Sequence, residues 1–333
     1  MNALVLHEVK TAPVYQNFEK PTLASDEVLI QIKAAALNHR DVYITQGLYP
    51  GIVTPIILGS DGAGVVVEIG DAIPLKWLQQ EVIINPSIGW QKNTAVQPMD
   101  YSIVGMPTQG CLAEYIKIKV ADLALLPKPN HLTWNEAAAL PLAGLTAYRA
   151  LFTKAKVQAG ERVLISGIGG GVALFACQLA IAAGAEVWVT SSSEQKIEQA
   201  IALGAKGGAN YKEENWHQDL LEKAEGAFDV IIDSAGGDGF RYFLDIANMG
   251  GRIAFYGGTR GSFKVSPQKM FWKQLSLFGS TMGSSEEFAE FIDFVNKTQL
   301  KPVVDSIWKL EDAAKAFDHL DAGKQFGKVV VSM

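Results

Sequence analysis

Residues Val163-Leu164-Ile165-Ser166-Gly167-Ile168-Gly169-Gly170-Gly171-Val172-Ala173 constrain the fold more than any other stretch of the 333-residue chain. An apolar run enters a cluster of glycines and leaves as an apolar, helix-forming segment. A buried strand, a tight turn and a helix answer that pattern. Such a turn receives a pyrophosphate, because glycines let the backbone approach the phosphates and the helix start offers free N–H groups and a positive dipole end. Two frames of the glycine fingerprint compete. One sets Gly167, Gly169 and Val172 at the key places, the other Ile168, Gly170 and Ala173. The second is preferred, since Ala is tolerated where helix and strand pack closely and Val is not, although Ile168 then occupies the first-glycine position. Gly169, Gly170, Gly171 and Val172 are therefore expected to cradle a dinucleotide; a turn packed tightly for its own sake is the plain alternative.

An NAD site carries an Asp or Glu about 20 residues further on, at the end of the second strand, for the ribose hydroxyls. Here that place reads Thr190-Ser191-Ser192-Ser193. Ser191 and Ser192 leave room for a 2′-phosphate, and Lys196 lies one helical turn away, so the expected cofactor is NADPH. Glu194 is read as part of a capping box that turns back to the helix start. An ordinary solvated helix lysine is the other reading of Lys196.

Around this core, strands and helices alternate from residue 162 to 279, the sign of a parallel sheet covered by helices. Residues 1–125 instead carry short β-branched runs at 28–33, 64–69, 81–85 and 113–117, bounded by Gly, Pro and Asp, and so predict a β-rich domain. Between them, Thr133-Trp134-Asn135-Glu136 predicts a capped helix that restarts at Pro141. Length alone favours two domains. A net charge of −6 argues against a nucleic-acid partner. No apolar run is long enough for a membrane span, and residues 1–8 turn polar too early for a signal peptide. Cys111 and Cys177 are the two cysteines and form no zinc spacing, which suits a soluble protein of the reducing cytoplasm.

The order of parts resembles the medium-chain dehydrogenase/reductase superfamily, and within it the zinc-free, quinone oxidoreductase-like branch. The resemblance spans nearly the whole chain. It rests on Asn38-His39-Arg40-Asp41-Val42-Tyr43, Gly47-Leu48-Tyr49-Pro50, Gly59-Ser60-Asp61-Gly62-Ala63-Gly64, residues 138–148 and the closing Gly327-Lys328-Val329-Val330. It implies an α/β protein, with a GroES-like β domain from residues 1–125 and 284–333 and a doubly wound Rossmann domain from 126–283, the active site lying in the cleft. It further implies that Asn38, Asp41, Tyr43 and Tyr49 line the substrate end. Thr146, Ser234, Gly257, Gly258 and Met282 would meet the cofactor, Tyr211 would lie beside Lys196 at the adenosine phosphate, and Lys328 would reach in from the last strand. Core packing is the other reading of Tyr43 and Tyr49, and a structural pairing that of Asp41.

Where zinc-dependent relatives hold the metal, this chain has Asn38, Ser60 and, by the same matching, Leu142, which are poor zinc donors. Asp61 and His39 remain as an incomplete set. The expected activity is hydride transfer from NADPH to a quinone, enone or related activated carbonyl compound, without metal and by a homodimer formed through the edge strand near 275–279. A zinc enzyme with atypical ligands and a dinucleotide-binding protein without catalysis are the competing readings.

Overall fold

The computed structural model describes residues 1–92, 94–120 and 124–333; Asn93, within the loop 90–106, lies outside them. The chain forms two compact units, Met1–Leu145 with Gly283–Met333, and Thr146–Met282.

The first unit is woven from both chain ends. Strand Glu27–Ala36 is its axis and pairs antiparallel with Asp61–Ile69 on one edge. On the other edge it pairs first with Tyr115–Lys119 and then with Lys328–Ser332. Ala34, Ala35 and Ala36 are fully buried, and the helix Trp134–Ala139 packs on this strand through Ala137, Ala138 and Ala139. Small side chains on both surfaces permit the close approach. That helix opens with the predicted capping box, in which the Thr133 N–H donates to Glu136 at 2.8 Å and the Glu136 N–H donates to Thr133 Oγ1 at 3.3 Å. Pro141 begins the next helix, Pro141–Tyr148, where its missing N–H costs nothing. Because of the helix–sheet packing, residues 126–145 cluster with this unit rather than with the nucleotide fold. A cavity of about 580 Å³ in the same unit is walled by Phe18, Ile57, Val104, Ile116 and Ile118, and none of the predicted site residues lines it.

The second unit is a six-stranded parallel sheet in the order Gly207–Asn210, Glu186–Ser191, Arg162–Ile165, Phe228–Asp233, Ala247–Phe255, Ser276–Gly279. The strand order reverses beside Arg162–Ile165, and in sheets of this kind ligands bind outside the carboxyl ends at the reversal. Helix Gly171–Ala182 buries seven residues, in keeping with an apolar sequence all round. Strand Gly207–Asn210 has no sequence signature, since glycine is disfavoured in strands. It forms by parallel pairing with Glu186–Ser191, and a Cβ at Gly207 would stand 2.5 Å from the Trp188 ring, so glycine makes room for that ring. Among the described residues no helix is long and apolar enough to cross a membrane.

Candidate functional site

In the second unit, strand Arg162–Ile165 leads through a turn into helix Gly171–Ala182. Gly167 (φ +66°) and Gly169 (φ +127°) hold left-handed backbone, whereas Gly170 is the N-cap at φ −77°. The conformational demand therefore falls on the first glycine frame, not the preferred second. The chain reverses before the cap, so the turn glycines precede it. Only Ala173, buried at the helix start, behaves as the second frame requires. The Ile168 N–H donates to the Thr190 carbonyl at 2.8 Å and the Gly167 N–H to Thr190 Oγ1 at 3.3 Å, which sews the turn to the next strand. A Cβ on Gly170 would meet nothing within 4 Å, so the outer side of the turn is open. That is the cradle a pyrophosphate needs, and with the free N–H groups of the helix start these residues fit a dinucleotide.

The buried Ser191 Oγ donates to the Ile168 carbonyl at 3.5 Å and thus braces the turn, while Ser192 is half-buried. Ser193 is the N-cap of Glu194–Ala202, its Oγ accepting the Lys196 N–H at 3.4 Å. Glu194 is the first helical residue and exposed, so it does not close the expected capping box: the cap falls two residues later than Ser191. Lys196 lies across the glycine turn, its Cδ 2.8 Å and its Nζ 3.1 Å from where a Gly169 Cβ would stand. The Tyr211 N–H donates to the Ser191 carbonyl at 3.0 Å, and the Arg260 guanidinium sits 5.2 Å from the centre of the Tyr211 ring. Sequence reasoning misses Arg260. Its one local signal is a lone cation in the glycine-rich run Gly257-Gly258-Thr259-Arg260-Gly261.

Ser234, Gly257 and Gly258 follow the carboxyl ends of strands Phe228–Asp233 and Ala247–Phe255. Asp233, buried, accepts from the Ser166 hydroxyl and from the Gly236 N–H, the latter at 2.8 Å, and so clasps two strand ends together. Tyr256 is half-buried, and desolvation pushes its phenol up against a hydrogen bond to Ser234. A Cβ on Gly257 would strike the Ser234 carbonyl oxygen at 2.4 Å, whereas Gly258 faces open space. Thr146 and Met282 meet each other, with Oγ1 to Sδ 3.8 Å.

In the first unit, strand register places Asn38 between Asp61 and Lys328. Ala36 pairs with Asp61 on one side and with Val330 on the other. The Lys328 ammonium, 3% exposed, donates to the Leu37 carbonyl at 2.9 Å, Asn38 Oδ1 at 2.7 Å and Asp61 Oδ2 at 2.9 Å. Asn38 Nδ2 also donates to Asp61 Oδ2, at 2.9 Å, and the Leu142 N–H donates to Asp61 Oδ1 at 2.7 Å. Lys328 is thus locked in this network and not extended towards a cofactor, as its three protons are all committed.

Asp41, expected among the catalytic group, is structural in its contacts. It is fully buried, with Oδ2 accepting the Asn38 N–H at 2.8 Å and Oδ1 the Gly59 N–H at 3.3 Å. Burial pushes its carboxyl up, against the pull of the Arg40 guanidinium and the Asn38 N–H. Arg40, missed on sequence, donates to Ser60 Oγ at 2.6 Å and the Val104 carbonyl at 3.1 Å, and its guanidinium lies 5.0 Å from the centre of the Tyr49 ring. Tyr49 is half-buried against the core of this unit. Tyr43 is half-buried, its ring 6.3 Å from that of His39.

The donor set does not suit zinc. Both Asp61 oxygens already accept hydrogen bonds, and the places beside it hold an amide, a hydroxyl and an aliphatic side chain. Among the described residues no group of three or more His, Cys, Asp or Glu is placed to hold a metal. Cys111 and Cys177 are buried, and burial pushes the Cys177 thiol up to about 12 and Cys111 well up.

Residues 24–128 match the family model of the alcohol dehydrogenase GroES-like domain, and residues 171–297 that of zinc-binding dehydrogenase. The zinc-type alcohol dehydrogenase-like protein YogA of Leptosphaeria maculans is 38% identical, over 94% of this chain and 92% of its own. The quinone oxidoreductase of Rattus norvegicus is 31% identical, over 93% and 90%. A crystal structure of an NAD-dependent alcohol dehydrogenase is 33% identical with a TM-score of 0.92, covering 100% of both chains. The chain therefore belongs to the medium-chain dehydrogenase/reductase superfamily and is an oxidoreductase with a GroES-like domain and a parallel-sheet Rossmann domain.

Proposed function

We propose that the protein reduces a quinone, an enone or a related activated carbonyl compound with NADPH, without a metal. The observation that carries this reading is the Asn38–Asp61–Lys328 network, in which an ammonium and an amide already engage the carboxylate where a zinc ligand would be sought. When bound, the nicotinamide supplies a hydride, so that NADPH, a proton and an enone give NADP⁺ and the saturated carbonyl compound. Asn38 Nδ2 carries two protons, one of which goes to Asp61. The other is the donor for the acceptor oxygen as it gains negative charge, and we assign the Tyr43 phenol as a second donor or as the proton source. Without a Lewis acid these donors supply less than a metal would, which favours acceptors that delocalise the charge themselves.

NADPH is favoured over NADH because Ser191 and Ser192 end the second strand where an acid would bind ribose, with Lys196 and Tyr211 beside them. The NAD-dependent structural neighbour makes this the point to measure. We also place the protein in the cytoplasm, as a homodimer through the sheet edge Ser276–Gly279, where the nearby helix exposes Phe271 and Trp272.

The test is a steady-state comparison of a quinone and enone panel with ethanol-like alcohols. Asn38→Ala and Tyr43→Phe should lower kcat for an enone, Asn38→Ala by about 10²-fold, the scale of one lost oxyanion donor, with NADPH affinity within twofold. Faster oxidation of simple alcohols than reduction of any quinone or enone would sink the substrate class.

A further inference from the structure

We propose that Lys328 is a positioning residue that fixes which way the Asn38 amide faces and strengthens its remaining N–H as a donor. The inference rests on the reading of Asn38 given above. An asparagine amide has two ends of similar shape and opposite hydrogen-bonding character. At Asn38 an ammonium 2.7 Å from Oδ1 and a carboxylate 2.9 Å from Nδ2 distinguish them. A flipped amide would set NH₂ against the ammonium and oxygen against the carboxylate, losing two charge-assisted bonds at once. One orientation therefore holds, and it always presents a donor, never an acceptor, beyond Asp61. The cation on Oδ1 also draws electron density from the amide, so the free N–H is polarised through the group it belongs to.

The burial of the network points the same way. Lys328 is 3% and Asp61 0% exposed, and a buried ion pair adds little net stability over an apolar pair of the same volume. All three ammonium protons are committed to Leu37, Asn38 and Asp61. Lys328 therefore neither transfers a proton nor touches a phosphate; its work is done through Asn38. The strand register that sets Lys328–Ser332 beside Glu27–Ala36 brings it there from the far end of the chain.

Lys328→Met alone leaves Asp61 as an unpaired buried charge and can simply unfold the domain. The informative variant is Lys328→Met/Asp61→Asn, which removes both charges and keeps an oxygen for the Leu142 N–H. With cyclohex-2-enone as substrate, its kcat should fall by about 10²-fold while KM and the NADPH Kd stay within twofold. Adding Asn38→Ala should cost little further, because the amide is no longer held with its N–H towards the acceptor. A second readout needs no turnover: p-nitrophenol titrated at 400 nm in the presence of the enzyme should ionise at lower pH when bound to the wild type than to the double variant.

If Asn38→Ala slows the reaction but the double variant keeps its kcat, the role of Lys328 is refuted while the proposed reaction stands. If the wild type reduces no quinone or enone, the proposed reaction fails and the phenol titration alone decides. Equal ionisation with wild type and double variant, or no binding by either, then overturns the role of Lys328.

Discussion

Replacing Lys196 with alanine separates two uses of the glycine turn. Lys196 is the third residue of helix Glu194–Ala202, and its N–H, which alanine retains, is the one that Ser193 caps. Alanine is also the better helix former, so stability should change by less than about 0.5 kcal/mol. What disappears is the ammonium, which lies over the glycine turn next to the end of strand Glu186–Ser191. A hydrogen bond from a charged donor to a 2′-phosphate contributes about 1.5 to 3 kcal/mol, roughly 10- to 150-fold in Kd. Lys196 is half-buried, which places the expected loss in the lower part of that range through solvent screening. Calorimetric titration of NADPH and NADH into wild type and variant, at one ionic strength, should show NADPH weakened about 10- to 30-fold and NADH within twofold. The geometry also permits the opposite result, because Nζ lies 3.1 Å from where a Gly169 Cβ would stand, against the turn that would hold a pyrophosphate. Equal losses for the two dinucleotides would assign Lys196 to the pyrophosphate and refute the 2′-phosphate argument.

Two further outcomes are expected. Elemental analysis should find no stoichiometric zinc and activity should survive chelators; one zinc per chain, lost together with activity, overturns the metal-free reading. Asp305 is pushed up by burial but held below the usual carboxylate range by the His319 ring at 2.7 Å and the Phe326 N–H at 2.8 Å. A depressed folded-state pKa contributes stability that is complete above the unfolded value of about 4 and lost as pH falls through the lower folded value. Asp305→Asn should therefore lower Tm above pH ~4 and flatten its decline in acid; an unchanged acid slope counts against the assignment.

How far the sequence could be read depended on the range of the interaction. The strand–glycine–helix pattern at 162–182 and the capping box at Thr133 are local, and both stand in the structure. The frame of the glycine turn was not legible, because whether Gly167 or Gly170 takes positive φ depends on where the backbone docks against Thr190 on the neighbouring strand. The strand Gly207–Asn210 was hidden because glycine is disfavoured in strands and the room it leaves is for Trp188, a side chain of the neighbouring strand. Asp41 reads in sequence, by resemblance, as a substrate-lining residue or a structural pairing, and its burial with two backbone N–H partners makes it a brace. The candidate substrate site shows the limit most sharply. The resemblance to zinc-dependent relatives pointed to Asn38, Ser60 and Leu142, and their residue types mark them as poor zinc donors, since ligand chemistry belongs to the side chain. That Lys328 answers Asp61 from 267 residues away was decided only by the tertiary structure: burying a carboxylate requires a partner, and which cation arrives is set by strand register across the sheet.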